Sequence, residues 1–175
     1  IYGLGFNVAN VNTCGPLLNY TLKIKHTTVN NLSAFDLEGW TTVFTAASYQ
    51  PFNGWNLHSF DAPFIWDGVS NILIDVCFNN YPNGYTNNAS TYYTVTSFTS
   101  VVYDRSDSNP DLCIAPASTN TSTYRANIRF INDPGVVLLN PENGEIAVQV
   151  PVTFEVSNNG YELYYDYQIS TSLEN

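Results

Sequence analysis

Apolar and polar residues alternate along several stretches of the chain, and a period of two is typical of half-buried β-strands. The clearest stretch is Leu18–Lys25, where apolar residues hold the even positions and polar residues the odd ones. Asn71–Phe78 likewise places four apolar residues on one face. Further strands are predicted at Gly39–Ala47, Trp55–Phe60, Thr91–Tyr103 and Ala126–Ile131.

Turn-forming residues separate these stretches. They lie at Asn53-Gly54, Asp67-Gly68, Pro82-Asn83-Gly84 and Ser108–Asp111. No stretch has the period of a helix. Strands joined by turns, without helices, predict an all-β fold. For residues 1–135 we expect an antiparallel β-sandwich resembling a jelly roll of about eight strands.

Composition supports this fold class and excludes several functions. The chain has 175 residues, of which 15% are aromatic and 11% charged, and its formal net charge is −10. Only five residues are basic, so we expect no nucleic-acid partner, because phosphate contacts need clustered Lys and Arg. No apolar run approaches the roughly 20 residues that a membrane span needs.

Charge divides the chain near residue 135. Residues 1–135 contain nine acids and all five bases, whereas residues 136–175 contain six acids and no base. Such a shift is typical of a domain boundary. Residues 136–175 resemble the first strands of a fibronectin-III or immunoglobulin-like domain. Because such a domain needs roughly 100 residues, we expect the chain to be part of a longer, multi-domain protein.

The sequence offers no clear catalytic arrangement. His26 and His58 are predicted to be half-buried strand residues, and no nucleophile motif accompanies them. Asp61, Asp67 and Asp75 are candidate carboxylates for glycoside hydrolysis, but no spacing singles out a pair. We therefore expect a protein that is not an enzyme.

An acidic loop is the one candidate metal site. Asp104, Asp107 and Asp111 lie within eight residues of one another, and carboxylate oxygens in a flexible loop suit Ca²⁺. The spacing is not that of an EF-hand. The loop therefore predicts either a weak calcium site or a solvated acidic turn, and we expect no other cofactor.

Three tryptophans allow two interpretations. Trp40, Trp55 and Trp66 lie near strand ends rather than along one face. Such residues either pack between two sheets or stack on sugar rings.

Three cysteines, Cys14, Cys77 and Cys113, have spacings that match no zinc pattern. Either two of them form a disulfide and one stays free, or all three are buried thiols.

A longer motif suggests a family. Gly54-Trp55-Asn56, followed by Ala62–Phe78 (APFIWDGVSNILIDVCF), resembles a β-sandwich module of large secreted proteins from Bacteroidota. Residues 20–27 and 39–44 are similar to its opening strands. Arg125–Phe130 is similar to its closing strand, with Ala126 where proline is usual. Within the motif, Asp67-Gly68 predicts a tight turn that the amide of Asn71 caps.

The resemblance implies a structural or binding role outside the cell. In that family such modules alternate with fibronectin-III or immunoglobulin-like domains. They belong to proteins exported by the type IX system, including cell-surface adhesins, gliding-associated filaments and accessory regions of enzymes. The resemblance also implies a Cys77–Cys113 disulfide and leaves Cys14 without an assigned partner. The expected function is a non-catalytic adhesive or filament module, with a carbohydrate-binding accessory module as the alternative. Expected partners are neighbouring β-domains and glycans or surface matrix.

Overall fold

The structure, a computed structural model, describes residues 1–82 and 87–132, together with the backbone of two strands at 137–140 and 155–157. Within these residues it contains β-strands and no α-helix, so the predicted all-β class is confirmed. The strands are β1 (Gly3–Asn10), β2 (Leu17–Thr27), β3 (Thr41–Tyr49), β4 (Gly54–Ser59), β5 (Asn71–Cys77), β6 (Ser90–Thr91), β7 (Tyr93–Val95), β8 (Val101–Tyr103), β9 (Asn120–Ser122), β10 (Tyr124–Ala126), β11 (Ile128–Ile131), β12 (Val137–Asn140) and β13 (Glu155–Ser157).

Two antiparallel sheets form the body of residues 1–132. The first has the order β11-β1-β4, and β6 also pairs with β1. The second has the order β3-β2-β5. Leu4 of β1 lies beside His58 and Phe130 in the first sheet, and Leu22 of β2 lies beside Phe44 and Val76 in the second. Each sheet thus has a central strand that pairs on both sides.

The inner faces of the two sheets meet in one hydrophobic core. The predicted alternation of β2 is confirmed, since Tyr20, Leu22 and Ile24 are buried there. Leu4 and Val43 join them from β1 and β3. The outer face of β2 carries Lys23 and Lys25, whose ammonium groups pair with Asp75 at 3.0 Å and Asp36 at 2.6 Å. Apolar residues pack inward and charged residues pair on the surface, as in a β-sandwich.

The long strand predicted at Thr91–Tyr103 is divided into β6, β7 and β8. Thr96 interrupts it, because its hydroxyl donates to the carbonyl of Phe98 at 2.6 Å and lies 2.9 Å from the hydroxyl of Ser100. Such local side-chain bonds compete with a continuous ladder. The divided chain forms two short ribbons, β7 with β10 and β8 with β9.

The chain separates into two compact units, Ile1–Asn132 and Asp133–Asn175. In the second unit β12 pairs antiparallel with β13. Residues 141–154 and 158–175 of this unit lie outside the described residues. The expected boundary at 135 and part of the turn at 82–84 also lie outside them. The fibronectin-III or immunoglobulin-like assignment stays a prediction.

Candidate functional site

The first part of the sequence motif, Gly54-Trp55-Asn56, forms an internal clip. Asn56 is 1% exposed. Its Oδ1 accepts hydrogen bonds from the hydroxyl of Tyr49 at 2.8 Å and the amide of Phe52 at 3.1 Å. Its Nδ2 donates to the carbonyls of Phe52 and Gly54 at 2.7 and 2.9 Å. Gly54 has a φ of +100°, which a side chain would disfavour. Asn56 therefore holds the turn before β4, and its polar atoms are occupied.

The second part of the motif, Asp67–Ser70, is a turn organised by a carboxylate. Asp67 Oδ1 accepts from the amides of Val69 and Ser70 at 2.9 and 2.8 Å. Its Oδ2 accepts from the Ser70 hydroxyl at 2.6 Å. The Ser70 hydroxyl, followed by the two amides, lowers the pKa of Asp67 to about 2. Gly68 has a φ of +74°, in agreement with the predicted tight turn.

The expectation that Asn71 caps this turn is wrong. Asn71 Nδ2 donates instead to the carbonyl of Val29 at 3.1 Å and to Oδ1 of Asn30 at 2.8 Å. The reason is positional, because the two amides of the turn are already taken by Asp67 and Asn71 is the first residue of β5. Asn71 thus ties the start of β5 to the loop after β2.

The tryptophans do not pack between the sheets. Trp55 lies on the outer face of β4, since its neighbour Asn56 points inward, and the guanidinium of Arg129 lies 4.4 Å from its ring. The ammonium of Lys25 lies 5.3 Å from the ring of Trp40. Trp66 is 48% exposed and donates from Nε1 to the carbonyl of Ser70 at 2.8 Å. Each indole thus lies outside the core cluster, and two of them contact cations.

His58 takes an interior place instead. It is 2% exposed, not half-buried as predicted. Four aromatic rings, of Phe6, Tyr20, Phe44 and Tyr49, have centroids within 6.3 Å of its imidazole. Within the part of the chain that the structure describes, neither ring nitrogen has a hydrogen-bond partner. Burial lowers the pKa of His58 to about 4, so the ring is neutral at pH 7.

His26 also differs from its prediction. Its side chain lies in an exposed position at the end of β2, and its ring centroid lies 4.7 Å from that of Phe64.

The acidic loop does not gather its carboxylates. In residues 1–82 and 87–132, no group of three or more His, Cys, Asp and Glu side chains lies close enough to hold a metal ion. Asp104 turns instead toward Ala117 and Ser118, whose amides donate to its Oδ2 at 2.7 and 2.9 Å. The Ser118 hydroxyl donates to its Oδ1 at 2.7 Å and is the main reason that the pKa of Asp104 is lowered. The set Asp104, Asp107 and Asp111 is therefore not arranged as a calcium site.

A disulfide joins Cys77 and Cys113, the pair that the resemblance implies. Cys77 ends β5, and Cys113 lies in the loop between β8 and β9. A hydrogen bond from Asn79 Nδ2 to the carbonyl of Pro110 connects the same two segments. Cys14 is a buried free thiol. The disulfide therefore holds the acidic loop beside the end of β5.

A groove of about 1160 Å³ runs along β5 and includes residues of β8 in its lining. The whole of β5 after Asn71 lines it, as do Val101 and Val102 of β8. Phe6 and Ile128 of the first sheet contribute to its lining. This groove is the candidate functional site.

Comparison with known proteins identifies no relative of this chain. No protein-family model, curated protein or solved structure matches it. Among the described residues, no helix is long and apolar enough to cross a membrane.

Proposed function

We propose that this chain is a non-catalytic structural or adhesive module of a larger bacterial protein, exported to the cell surface or secreted. The module would act in an adhesin or a surface filament, in series with further β-domains. The resemblance of residues 1–132 to Bacteroidota modules motivates the host, the type IX export route and a jelly-roll-like type of sandwich.

The observation that carries this proposal is how the motif residues are used. Asn56 and Asp67, its most distinctive polar residues, have their oxygens occupied by neighbouring amides and hydroxyls. Asp75 pairs with Lys23. These side chains specify turns and strand pairing, which favours a role in architecture over one in chemistry.

The disulfide supports a location outside the cytoplasm. Disulfides persist in oxidising compartments and are rare in the cytosol. Mass spectrometry of the native parent protein, alkylated without reductant, should show the Cys77 and Cys113 peptides linked. Finding both thiols alkylated would argue against export.

A deletion tests the adhesive role. Removing residues 1–132 from the parent polypeptide in its own host should reduce surface attachment of the cells, and export should continue. Unchanged attachment, with the shortened protein present at the surface, would contradict the proposal.

A second candidate function is carbohydrate binding within a secreted enzyme, with glycans as the partner. Tyr93 and Tyr124 stack at 4.7 Å between ring centroids and are 54% and 58% exposed. Exposed aromatic rings are suited to sugar stacking. Pull-down with insoluble polysaccharides should then retain the wild-type chain and lose Tyr93→Ala/Tyr124→Ala. Phe52→Ala, also at an exposed ring, is the matched control. Retention of the double variant would exclude these two rings as the binding surface.

A further inference from the structure

We propose that the groove beside β5 binds an extended segment of a partner protein, which adds to the second sheet as a new strand. The segment would be uncharged, with apolar residues at every second position. This inference rests on the proposed structural role and names the kind of partner that the role requires.

The first argument is the free backbone of β5. In the described part of the chain, β5 pairs with β2 on one side and with no strand on the other. In an antiparallel ladder alternate residues direct both N–H and C=O to the same side. The outer edge of β5 therefore presents a row of backbone donors and acceptors, which is a template for another strand.

The second argument is that this edge lies inside a groove and not on a convex surface. Residues 72–77 line it, a stretch of about 20 Å at roughly 3.3 Å per residue. Val101 and Val102 of β8 line the same groove. A partner strand would thus meet side chains of β8 in addition to the edge of β5.

The third argument is the chemistry of the wall. Val76, on the inner face of β5, is 42% exposed, and so is Phe78 just beyond the strand. Their neighbours on the same face, Ile72 and Ile74, pack against the core. The apolar inner surface thus continues past the point where the first sheet covers it. A strand with apolar residues at alternate positions would bury Val76 and Phe78.

The fourth argument is charge. The chain as a whole carries −10, but the groove is lined by three bases and four acids. Lys23 is paired with Asp75, and Asp36 with Lys25. The remaining lining charges are two positive and two negative, on Arg105, Arg125, Asp104 and Asp107. Because these balance, the groove suits a neutral segment, whereas a second copy would bring another −10 to the interface.

The disulfide fixes the geometry of the site. It joins Cys77, at the end of β5, to Cys113 in the loop between β8 and β9, and both residues line the groove. The covalent link therefore fixes this loop relative to β5 at one end of the groove, so a partner strand meets a surface that is already organised.

The test uses a capped peptide of about nine residues with valine and threonine at alternate positions, long enough to span β5. Its control has the same composition with the valines grouped together. Calorimetry should show saturable binding of the alternating peptide, and backbone NMR shifts should fall on β5 and β8. Absence of binding, equal binding of the grouped peptide, or shifts elsewhere would overturn the proposal.

Two variants locate the contact. Val76→Lys places a charge on the inner face beside the edge and should weaken binding by at least about tenfold. Val95→Lys, at a 63% exposed strand position outside the groove lining, should bind like the wild type. Equal affinity for both variants would contradict strand addition at β5.

Sedimentation of the peptide-free chain tests whether the groove binds a second copy of the chain instead of a partner segment. We expect a monomer. A dimer that dissociates in Val76→Lys would show that the groove takes a second copy, and would overturn the partner assignment. Failure of any of these tests would leave the deletion experiment on surface attachment unaffected.

Discussion

At β4 the interior of the sandwich is closed by aromatic rings, whereas at β5 it opens into a groove. On the closed side, His58 is 2% exposed among the rings of Phe6, Tyr20, Phe44 and Tyr49. On the open side, Val76 has the same inward orientation and is 42% exposed. The two sides share one pair of sheets. Alternation places both side chains on the inner face of their sheets. The difference therefore shows that burial of an inward-facing residue also depends on whether the opposite sheet covers it.

The largest effect on the free energy of unfolding is expected from removing the Cys77–Cys113 disulfide, which lies on the open side. Cys77→Ser/Cys113→Ser frees a loop closed over a separation of 36 residues. The chain-entropy model gives a loss of about 4 kcal/mol in the free energy of unfolding. Urea denaturation measures it. A loss below about 1 kcal/mol would show that the loop after β8 stays in place without the disulfide.

The next effect is a pH dependence that belongs to the closed side. Burial lowers the pKa of His58 to about 4, and its unfolded value is about 6.5. Between pH 6.5 and pH 4 the unfolded chain binds a proton at His58 and the folded chain does not. The free energy of unfolding therefore keeps its full value above about pH 6.5 and falls as the pH decreases toward 4. The loss should approach about 3 kcal/mol.

His58→Phe should remove this part of the slope, because phenylalanine fills the same aromatic surroundings without a proton to bind. His26→Phe, at an exposed position, should keep the slope. Thermal melts between pH 7 and 4 distinguish the two variants. An unchanged slope in His58→Phe would mean that other groups carry the acid dependence.

A smaller effect is expected at the clip beside His58. Asn56→Ala leaves the amide and carbonyl of Phe52 and the hydroxyl of Tyr49 without this partner, and all three bonds are partly buried. We expect a loss of about 2 kcal/mol, within the usual penalty for polar groups that lose hydrogen bonds away from water. Asn132→Ala, at an exposed asparagine, should change the free energy of unfolding by less than about 0.5 kcal/mol. Equal effects would show that the hydrogen bonds of Asn56 are not energetically important.

The smallest effect is expected at the acidic loop near the open side. Because Asp104 binds Ser118 and its neighbours, and the three carboxylates are not gathered, millimolar Ca²⁺ should leave the Tm unchanged. Calorimetric melts with calcium and with chelator test this. A rise in Tm that disappears in Asp107→Ala would show that the loop rearranges to bind the ion.

The strands with one buried face could be predicted from the sequence. Alternation identified β2 and β5, because their inner positions are apolar and their outer positions polar. β1 could not be recognised in this way, since Gly3 and Gly5 are poor strand formers. The structure shows why small residues stand there: a Cβ at Gly3 would meet the carbonyl oxygen of His58, and one at Gly5 would meet the side chain of Leu57.

In β4 the alternation was recognisable but its direction was not. Trp55 and Leu57 are the apolar members of the pattern, yet Asn56 and His58 point inward and Leu57 is 50% exposed. The clip of Asn56 and the aromatic rings around His58 make these polar residues suitable for the interior. Neither arrangement is visible in a one-dimensional pattern.

The candidate site could be predicted only in part. The resemblance implied the disulfide that bounds the groove, but the groove itself depends on β5 having no second neighbour among the described strands. That property belongs to strand pairing between distant segments, and hydrophobic periodicity carries no information about it.

Hydrogen exchange of backbone amides tests the open edge of β5 most directly. In the central strand β2, amides bond to β3 or β5 and should be protected along the strand. In β5 we predict an alternating pattern, with amides facing β2 protected and those between them, facing the groove, exchanging at least about tenfold faster. Uniform protection along residues 72–77, equal to that of β2, would contradict the account, because it would show that the edge is already paired.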